Sequence, residues 1–172
     1  MRRNLLAGGV LLAVIICVFG YVWYAQQRIT TPSLPSRMPP AGYREYQDMQ
    51  YRFSLFYPGN LSVSQYDEGG GAKTFVFQNT VEAEGFQIFI VPYFASQITE
   101  ERFRQDEPSG VREDPTALLV GGVPAVAFFG KSPVLGDTRE IWFIREGYPF
   151  EVTAPKVLGE WLLETMQSWE FL

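Results

Sequence analysis

The stretch FQIFIVPY, residues 86–93, is apolar on both of its alternating sets of side chains. A strand with one solvated face alternates between apolar and polar residues, whereas a strand that is covered on both faces is apolar almost throughout. We therefore expect this stretch to be a central strand with further structure packed on each face of its sheet. The covering elements must come from the remainder of the chain.

Two segments have the features of covering helices. Thr99 to Gln105 begins with a capping threonine and two glutamates, and it places Ile98 and Phe103 at the hydrophobic-staple spacing. The last residues, 155–172, carry large apolar side chains at spacings of three and four, as an amphipathic helix does: Leu158, Trp161, Leu162, Met166 and Trp169. We expect both helices to pack on the sheet.

The other apolar segments are short and are separated by turn residues, which favours antiparallel strands. Residues 51–60, YRFSLFYPGN, predict the first strand and a turn, and the polar residues 43–50 precede it. Residues 106–116 contain two prolines and a glycine and are predicted to form a loop. Further strands are predicted from Ala117 onward. The fold class is therefore α+β, an antiparallel β-sheet covered by helices in an α/β/α sandwich.

Residues 5–25, LLAGGVLLAVIICVFGYVWYA, contain no charged side chain. A helix of this length would span roughly 32 Å, enough to cross the hydrocarbon core of a bilayer. Arg2 and Arg3 precede it, so by the positive-inside rule we expect a cytoplasmic amino terminus and a periplasmic or extracellular domain. A cleaved signal peptide is the alternative, although Trp23 stands where cleavage favours a small residue.

We expect three regions: a transmembrane anchor at 5–25, a proline-rich linker at 26–42, and one domain at 43–172. Four prolines between residues 29 and 42 favour an extended polyproline spacer. The chain's formal charge is −5, but Arg2, Arg3 and Arg28 carry all the charge of the first 30 residues. The remainder has 14 − 3 = 11 basic and 19 acidic residues, a net charge of −8. An acidic domain is a poor ligand for nucleic acid, which we exclude as a partner.

The chain contains no histidine, and its single cysteine, Cys17, lies within the predicted anchor. These two facts remove the Ser-His-Asp and Cys-His catalytic arrangements, the commonest zinc ligand and any disulfide within the domain. We predict no catalytic residue, no cofactor and no metal ligand.

The longest connection within the predicted C-terminal group of strands is KSPVLGD. Loops carried by a rigid sheet are frequent binding elements. We predict that this loop contacts a partner through its seven residues: Lys131, Ser132, Pro133, Val134, Leu135, Gly136 and Asp137.

The order of elements resembles the PsbP-like superfamily, which includes thylakoid-lumen photosystem II proteins, a Ran-binding nuclear import factor and anchored bacterial proteins. The resemblance rests on residues 51–60, on GGVPAVAF at 121–128, on REIWFIREGYPFEVT at 139–153, and on SWEFL at 168–172. It spans nearly all of residues 50–172 and implies the fold. It supplies no site residue, because metal-binding histidines ascribed to plant members have no counterpart in this chain.

Three hypotheses about function remain open. The leading one is a noncatalytic binding or assembly domain, anchored in the membrane, that binds a protein or a small hydrophobic ligand. The second is a carboxylate-dependent hydrolase of the cell envelope that uses Asp67, Glu68 or Asp137, two of which would have to converge in one cleft. The third is a purely structural subunit of a membrane complex.

The predicted topology can be tested by cysteine labelling. In a Cys17→Ala background, we expect Ser36→Cys to react with a membrane-impermeant thiol reagent in intact cells, because residue 36 follows the anchor on the exported side. The Cys17→Ala chain without the new cysteine is the control and should remain unlabelled. Labelling that requires lysis would place the domain in the cytoplasm.

Overall fold

A computed structural model describes residues 37–172, so the predicted anchor at 5–25 and most of the linker at 26–42 lie outside the described residues. Over the described range the chain forms ten strands, two α-helices and a 3₁₀ helix at Lys156–Leu158. The helices are α1 (Glu100–Asp106) and α2 (Gly159–Met166). The strands are β1 (Tyr43–Asp48), β2 (Phe53–Pro58), β3 (Ser62–Gly69), β4 (Ala72–Asn79), β5 (Glu84–Ile90), β6 (Glu113–Val120), β7 (Val123–Ser132), β8 (Gly136–Arg145), β9 (Tyr148–Pro155) and β10 (Glu170–Phe171).

The strands form two antiparallel sheets. The larger has the order β3-β4-β5-β9-β8-β7-β6, and the smaller has the order β1-β2-β10. The α+β prediction is confirmed in its coarse form, because antiparallel strands dominate and two short helices accompany them. The prediction of a single sheet between helices is wrong, since the small sheet joins α2 in covering one face of the large sheet.

The main core lies between the two sheets and is rich in aromatic rings. Phe53 of β2 stacks on Trp169 with ring centroids 4.6 Å apart. Phe150 of β9 meets both rings edge-on, at 6.0 and 5.9 Å. Leu162 and Met166 of α2 are buried in the same cluster, which confirms the predicted apolar face of the C-terminal helix.

The central strand β5 is covered on one face only. Phe86, Ile88 and Ile90 are buried in the main core, whereas Gln87 and Phe89, which point to the opposite face, are half-buried. The expectation that both faces of this strand are packed is therefore wrong. The open side of β5 leaves room for the two cavities described below.

Helix α1 packs on the opposite face of the large sheet, over β7 and β8 rather than over β5. Its predicted cap is present, because the Thr99 side chain accepts a hydrogen bond from the Arg102 N–H at 3.2 Å. Phe103 contacts Phe128 and Trp142, with ring centroids 5.7 and 5.4 Å away. These three rings form a second, smaller apolar cluster.

Three element boundaries differ from the sequence predictions. Residues 43–48 form β1, which pairs along the whole of β2. β6 begins at Glu113, inside the predicted loop, because a bulge at Asp114, whose φ is 50°, lets the chain join β7 early. The C-terminal helix ends at Met166, and residues 170–171 become β10 through pairing with Ser54 and Phe53.

The stack of Trp169 on Phe53 leads to a test of the core. Trp169→Ala should lower the free energy of unfolding by about 3–5 kcal/mol, because it empties the space between the two sheets. Phe94→Ala is the matched aromatic control, since Phe94 is 99% exposed and its loss should change stability by less than about 0.5 kcal/mol. Chemical denaturation of both variants makes the comparison. Equal losses would contradict the assigned core.

Candidate functional site

The predicted partner-contact loop, Lys131–Asp137, is mostly strand. Lys131 pairs with Asp137 and Ser132 with Gly136, so the connection between β7 and β8 shrinks to residues 133–135. The Ser132 hydroxyl accepts hydrogen bonds from the Val134 and Leu135 N–H groups, at 3.2 and 3.3 Å, which closes this tip. The predicted bounds of this loop are therefore too wide, although residues 133–135 are still the longest connection among the strands β6 to β9. The hairpin nevertheless lines three cavities.

The first cavity, which we call the apolar groove, has a volume of about 400 Å³. It lies where β5 and β9 separate. These strands pair only from Gln87 with Thr153 to Ile90 with Phe150, whereas β9 remains paired with β8 as far as Pro155. Its principal apolar walls are Val76, Phe77, Phe86, Val134, Leu135 and Pro155.

Gly85 shapes one wall of the groove. Its φ is 156°, and a Cβ placed on it would lie 2.3 Å from the Phe77 carbonyl oxygen. Any other residue would push the backbones of β4 and β5 apart at this point. The groove therefore depends on a glycine at the position where β5 leaves β9.

The second cavity, which we call the acidic cavity, has a volume of about 340 Å³. It lies on the same face of the sheet as α1 and shares Gln87 and Thr153 with the apolar groove. Half-buried Phe89 and buried Trp142 form aromatic parts of its wall. Four carboxyl groups line it: Asp106, Glu107, Glu140 and Glu151.

Glu140 lies on β8, opposite Phe128 of β7 and Thr153 of β9. Its Oε2 accepts hydrogen bonds from Thr153 Oγ1 at 2.7 Å and from Trp142 Nε1 at 3.2 Å. Burial raises the pKa of Glu140 above its ordinary value of 4.5, and these hydrogen bonds oppose that rise.

Glu151 lies on β9, opposite Trp142 in the β8–β9 register. Burial raises the pKa of Glu151 well above 4.5, and a hydrogen bond to the Asp106 carboxyl group raises it further. Asp106 is itself bound by the Arg102 guanidinium, one helical turn earlier in α1. Glu151 is therefore a neutral acid beside an ion pair.

Glu107 follows the last residue of α1 and completes the acidic cavity. Its Oε1 accepts hydrogen bonds from the N–H and hydroxyl groups of Ser109. A Cβ on Gly130 would lie 3.0 Å from Glu107 Oε2 and 3.1 Å from Glu140 Cγ. The glycine in β7 thus leaves the space that these two carboxyl groups occupy.

The structure does not bring together the acids that the sequence suggested. Asp67 and Glu68 are exposed at the β3–β4 turn, whereas Asp137 lies beside the β7–β8 turn at the other end of the sheet, 3.9 Å from Lys156. The acids that do converge are Glu140, directly before the apolar run IWFI of β8, and Glu151, the one acid of β9. The position of each acid beside apolar residues in adjacent strands was the available signal. Residues 37–172 contain no group of three or more Cys, Asp or Glu side chains that could hold a metal ion.

The raised pKa values predict a stability that falls with pH. The folded chain holds the protons of Glu140 and Glu151 more tightly than the unfolded chain, so their contribution is complete below about pH 4.5 and is lost as pH rises toward the folded-state values. Each titrating group lowers the free energy of unfolding by up to about 1.4 kcal/mol per pH unit.

We expect Glu151→Gln, which mimics the neutral acid, to flatten the decline that denaturation measures between about pH 5 and 9. Asp67→Asn changes the charge equally at an exposed position and should leave the wild-type slope unchanged. A Glu151→Gln slope parallel to that of the wild type would contradict the assignment.

Comparison with known proteins supports the fold. No protein-family model matches the chain, and no curated protein matches it. The solution structure of cyanobacterial PsbP (CyanoP) from Synechocystis sp. PCC 6803 matches with a TM-score of 0.54 and 11% sequence identity, over 81% of this chain and 96% of that chain. A likeness at this identity shows the fold alone. The chain therefore has the PsbP-like fold that the sequence predicted.

Proposed function

We propose that the chain is a membrane-anchored, extracytoplasmic binding domain without catalytic activity. Its partner is a protein that places an apolar side chain in the apolar groove. The observation that carries this proposal is the groove itself, a cavity of about 400 Å³ with apolar walls and an exposed apolar rim.

The rim favours a protein over a small molecule. Val134 is 89% exposed at the tip of the β7–β8 hairpin, and Val157, beside the same hairpin, is 91% exposed. A small molecule in the groove would leave both valines in water, whereas small-molecule pockets bury most of their ligand. A partner surface that carries one inserted side chain would cover the groove and both valines together.

Charge restricts the partner further. Glu82 is exposed in the turn that follows β4, Glu84 lines the groove, and Asp137 is exposed on the hairpin. The chain beyond residue 30 carries a net charge of −8. A partner surface that is neutral or basic around its apolar side chain would complement this rim.

The start of the domain lies near the groove. The Gly59 N–H donates to the Gly42 carbonyl oxygen at 2.7 Å, so the start of the domain lies beside the β2–β3 turn. Asn60, in that turn, donates to Glu82 at 2.9 Å, beside the groove. The linker therefore joins the domain at the end of the sheet where the groove opens.

Membrane anchoring rests on the sequence of residues 5–25 and on the preceding arginines. No helix within residues 37–172 is long and apolar enough to cross a bilayer. In this arrangement the amino terminus is cytoplasmic and the domain lies in the periplasm or outside the cell.

A carboxylate-dependent hydrolase is the second candidate, and the acidic cavity favours it. Asp106 is bound by the Arg102 guanidinium, whereas burial raises the pKa of Glu151, so the two neighbouring carboxyl groups have different surroundings, as an acid and base pair requires. Glu151→Gln discriminates the two candidates. It should abolish a hydrolytic activity and should leave binding at the apolar groove intact.

Site-specific photo-crosslinking tests the binding function. With a benzophenone amino acid at position 134, we expect the full chain in native membranes to form a discrete adduct with a protein. The same probe at position 119 is the control, because Leu119 is also exposed but lies at the other end of the large sheet.

Adding Leu135→Glu to the position 134 probe should lower the adduct yield about tenfold or more, because a buried leucine contributes about 1.5–3 kcal/mol. Equal yields from positions 134 and 119, or adducts with lipid alone, would refute the proposal.

A further inference from the structure

The acidic cavity contains more buried acid than its own cations balance. Its four carboxyl groups come from the end of α1, from β8 and from β9. Arg102 binds Asp106, and Lys131 is exposed at the rim. β5 contributes only uncharged groups to the wall, Gln87 and Phe89. The cavity therefore holds an excess of carboxyl groups that remain uncharged or need a further cation.

One of these carboxyl groups has an unsatisfied oxygen. Glu151 is 5% exposed, and its Oε1 accepts no hydrogen bond from any group within residues 37–172. Its hydrogen bond with Asp106 uses the proton that the neutral acid donates. A buried acceptor without a donor is costly and rare in folded proteins. Because Glu151 lines the cavity, a ligand there that carries N–H groups would satisfy this oxygen.

The walls indicate an organic cation rather than a metal ion. Residues 37–172 offer no set of three or more acidic or cysteine ligands arranged for a metal. Phe89 and Trp142 instead present aromatic surface, and Pro108 and Pro133 add apolar surface. Aromatic rings and carboxylates together favour ammonium and guanidinium groups attached to carbon.

We propose that the acidic cavity binds the guanidinium or ammonium end of an organic cation. Its N–H groups donate to Glu151 and Glu140, and its carbon chain lies against Phe89 and Trp142. A volume of about 340 Å³ admits a group of this size. This site is separate from the apolar groove, and the inference does not rest on the proposed function.

Binding of a cation should release protons. Burial raises the pKa of both Glu140 and Glu151, and a bound positive charge favours their ionised forms. The other charged groups that face them are Asp106, Glu107 and Arg102 from the α1 segment and Lys131 from β7. Affinity should therefore rise with pH, by up to about tenfold per pH unit for each proton released.

Calorimetric titration of the full chain in detergent micelles provides the test. The probes are n-butylguanidinium and its neutral counterpart n-butylurea, which have almost the same shape. We expect a Kd on the order of 1 mM for the cation at neutral pH. The urea should bind at least tenfold more weakly. Repeating the titration in buffers of different ionisation enthalpy counts the released protons, and we expect about one or more.

Glu151→Gln should weaken n-butylguanidinium binding about tenfold or more and reduce proton release. Asp67→Asn is the charge-matched control and should bind as the wild type does. Equal binding of the cation and the urea, affinity that is independent of pH, or undiminished binding by Glu151→Gln would each overturn the proposal. The comparison of the two probes needs no variant, so it decides the question even if Glu151→Gln fails to fold.

A second titration identifies the source of the cation. The probe is an acetylated, amidated Gly-Arg-Gly peptide, with citrulline in place of arginine as its control. Binding about tenfold tighter than that of n-butylguanidinium would support a partner's arginine side chain as the ligand. Equal or weaker binding of the peptide, with the cation still preferred over the urea, would support a free small cation.

Discussion

The stack of Trp169 on Phe53 is the contact on which the two-sheet architecture depends. Phe53 begins β2, and Trp169 lies between α2 and β10, so the contact joins a strand near the start of the domain to a residue near its end. Phe143 and Phe150, on β8 and β9, meet Trp169 edge-on at 5.4 and 5.9 Å. The small sheet, α2 and the middle of the large sheet thus share one apolar cluster. Aromatic rings in such arrangements add to the free energy gained by burying their area.

That concentration of apolar packing on one face determines what the other face can carry. β8 and β9 each present alternate side chains to the main core, including Ile141 and Val152, and their remaining side chains to α1. Because the core side already holds these strands in place, polar groups are tolerated on the α1 side. Glu140 and Glu151 occupy buried positions on that side, where apolar residues are usual. Their raised pKa values are the electrostatic consequence of that burial.

Local patterns in the sequence predicted those elements whose stabilising contacts are also local. Thr99 caps α1 through Arg102, three residues away, and the periodicity of α2 reflects its own buried face. β10 was not predicted, because Glu170 and Phe171 form a strand only by pairing with β2, more than a hundred residues earlier in the chain. The length of the β7–β8 hairpin was misjudged because Lys131 and Asp137, which are polar and exposed, still pair across the strands. Hydrophobic periodicity carries no information about such pairs.

The acidic cavity illustrates a second limit of sequence reasoning. The β8–β9 hairpin is local, and its register alone would have placed Glu140 opposite Thr153 and Trp142 opposite Glu151. The rest of the cavity depends on contacts between residues that are far apart in the chain. β5 pairs with β9 on the side opposite β8, and the end of α1 packs against these strands. The acids were therefore visible in the sequence, but the cavity around them was not.

The apolar groove and the acidic cavity meet at Gln87 and Thr153, the last formed pair between β5 and β9. If the same register continued, Gly85 would face Pro155, but proline has no N–H to donate and Gly85 is held close to the β4 backbone. A sheet that continued pairing here would draw β5 against β9 and close the groove between them. Gly85 and Pro155, which stop the pairing, are therefore also the residues that keep the apolar groove open. The β7–β8 hairpin borders both cavities. A substitution of Pro155 or Gly85 would change the apolar groove without changing a charged residue.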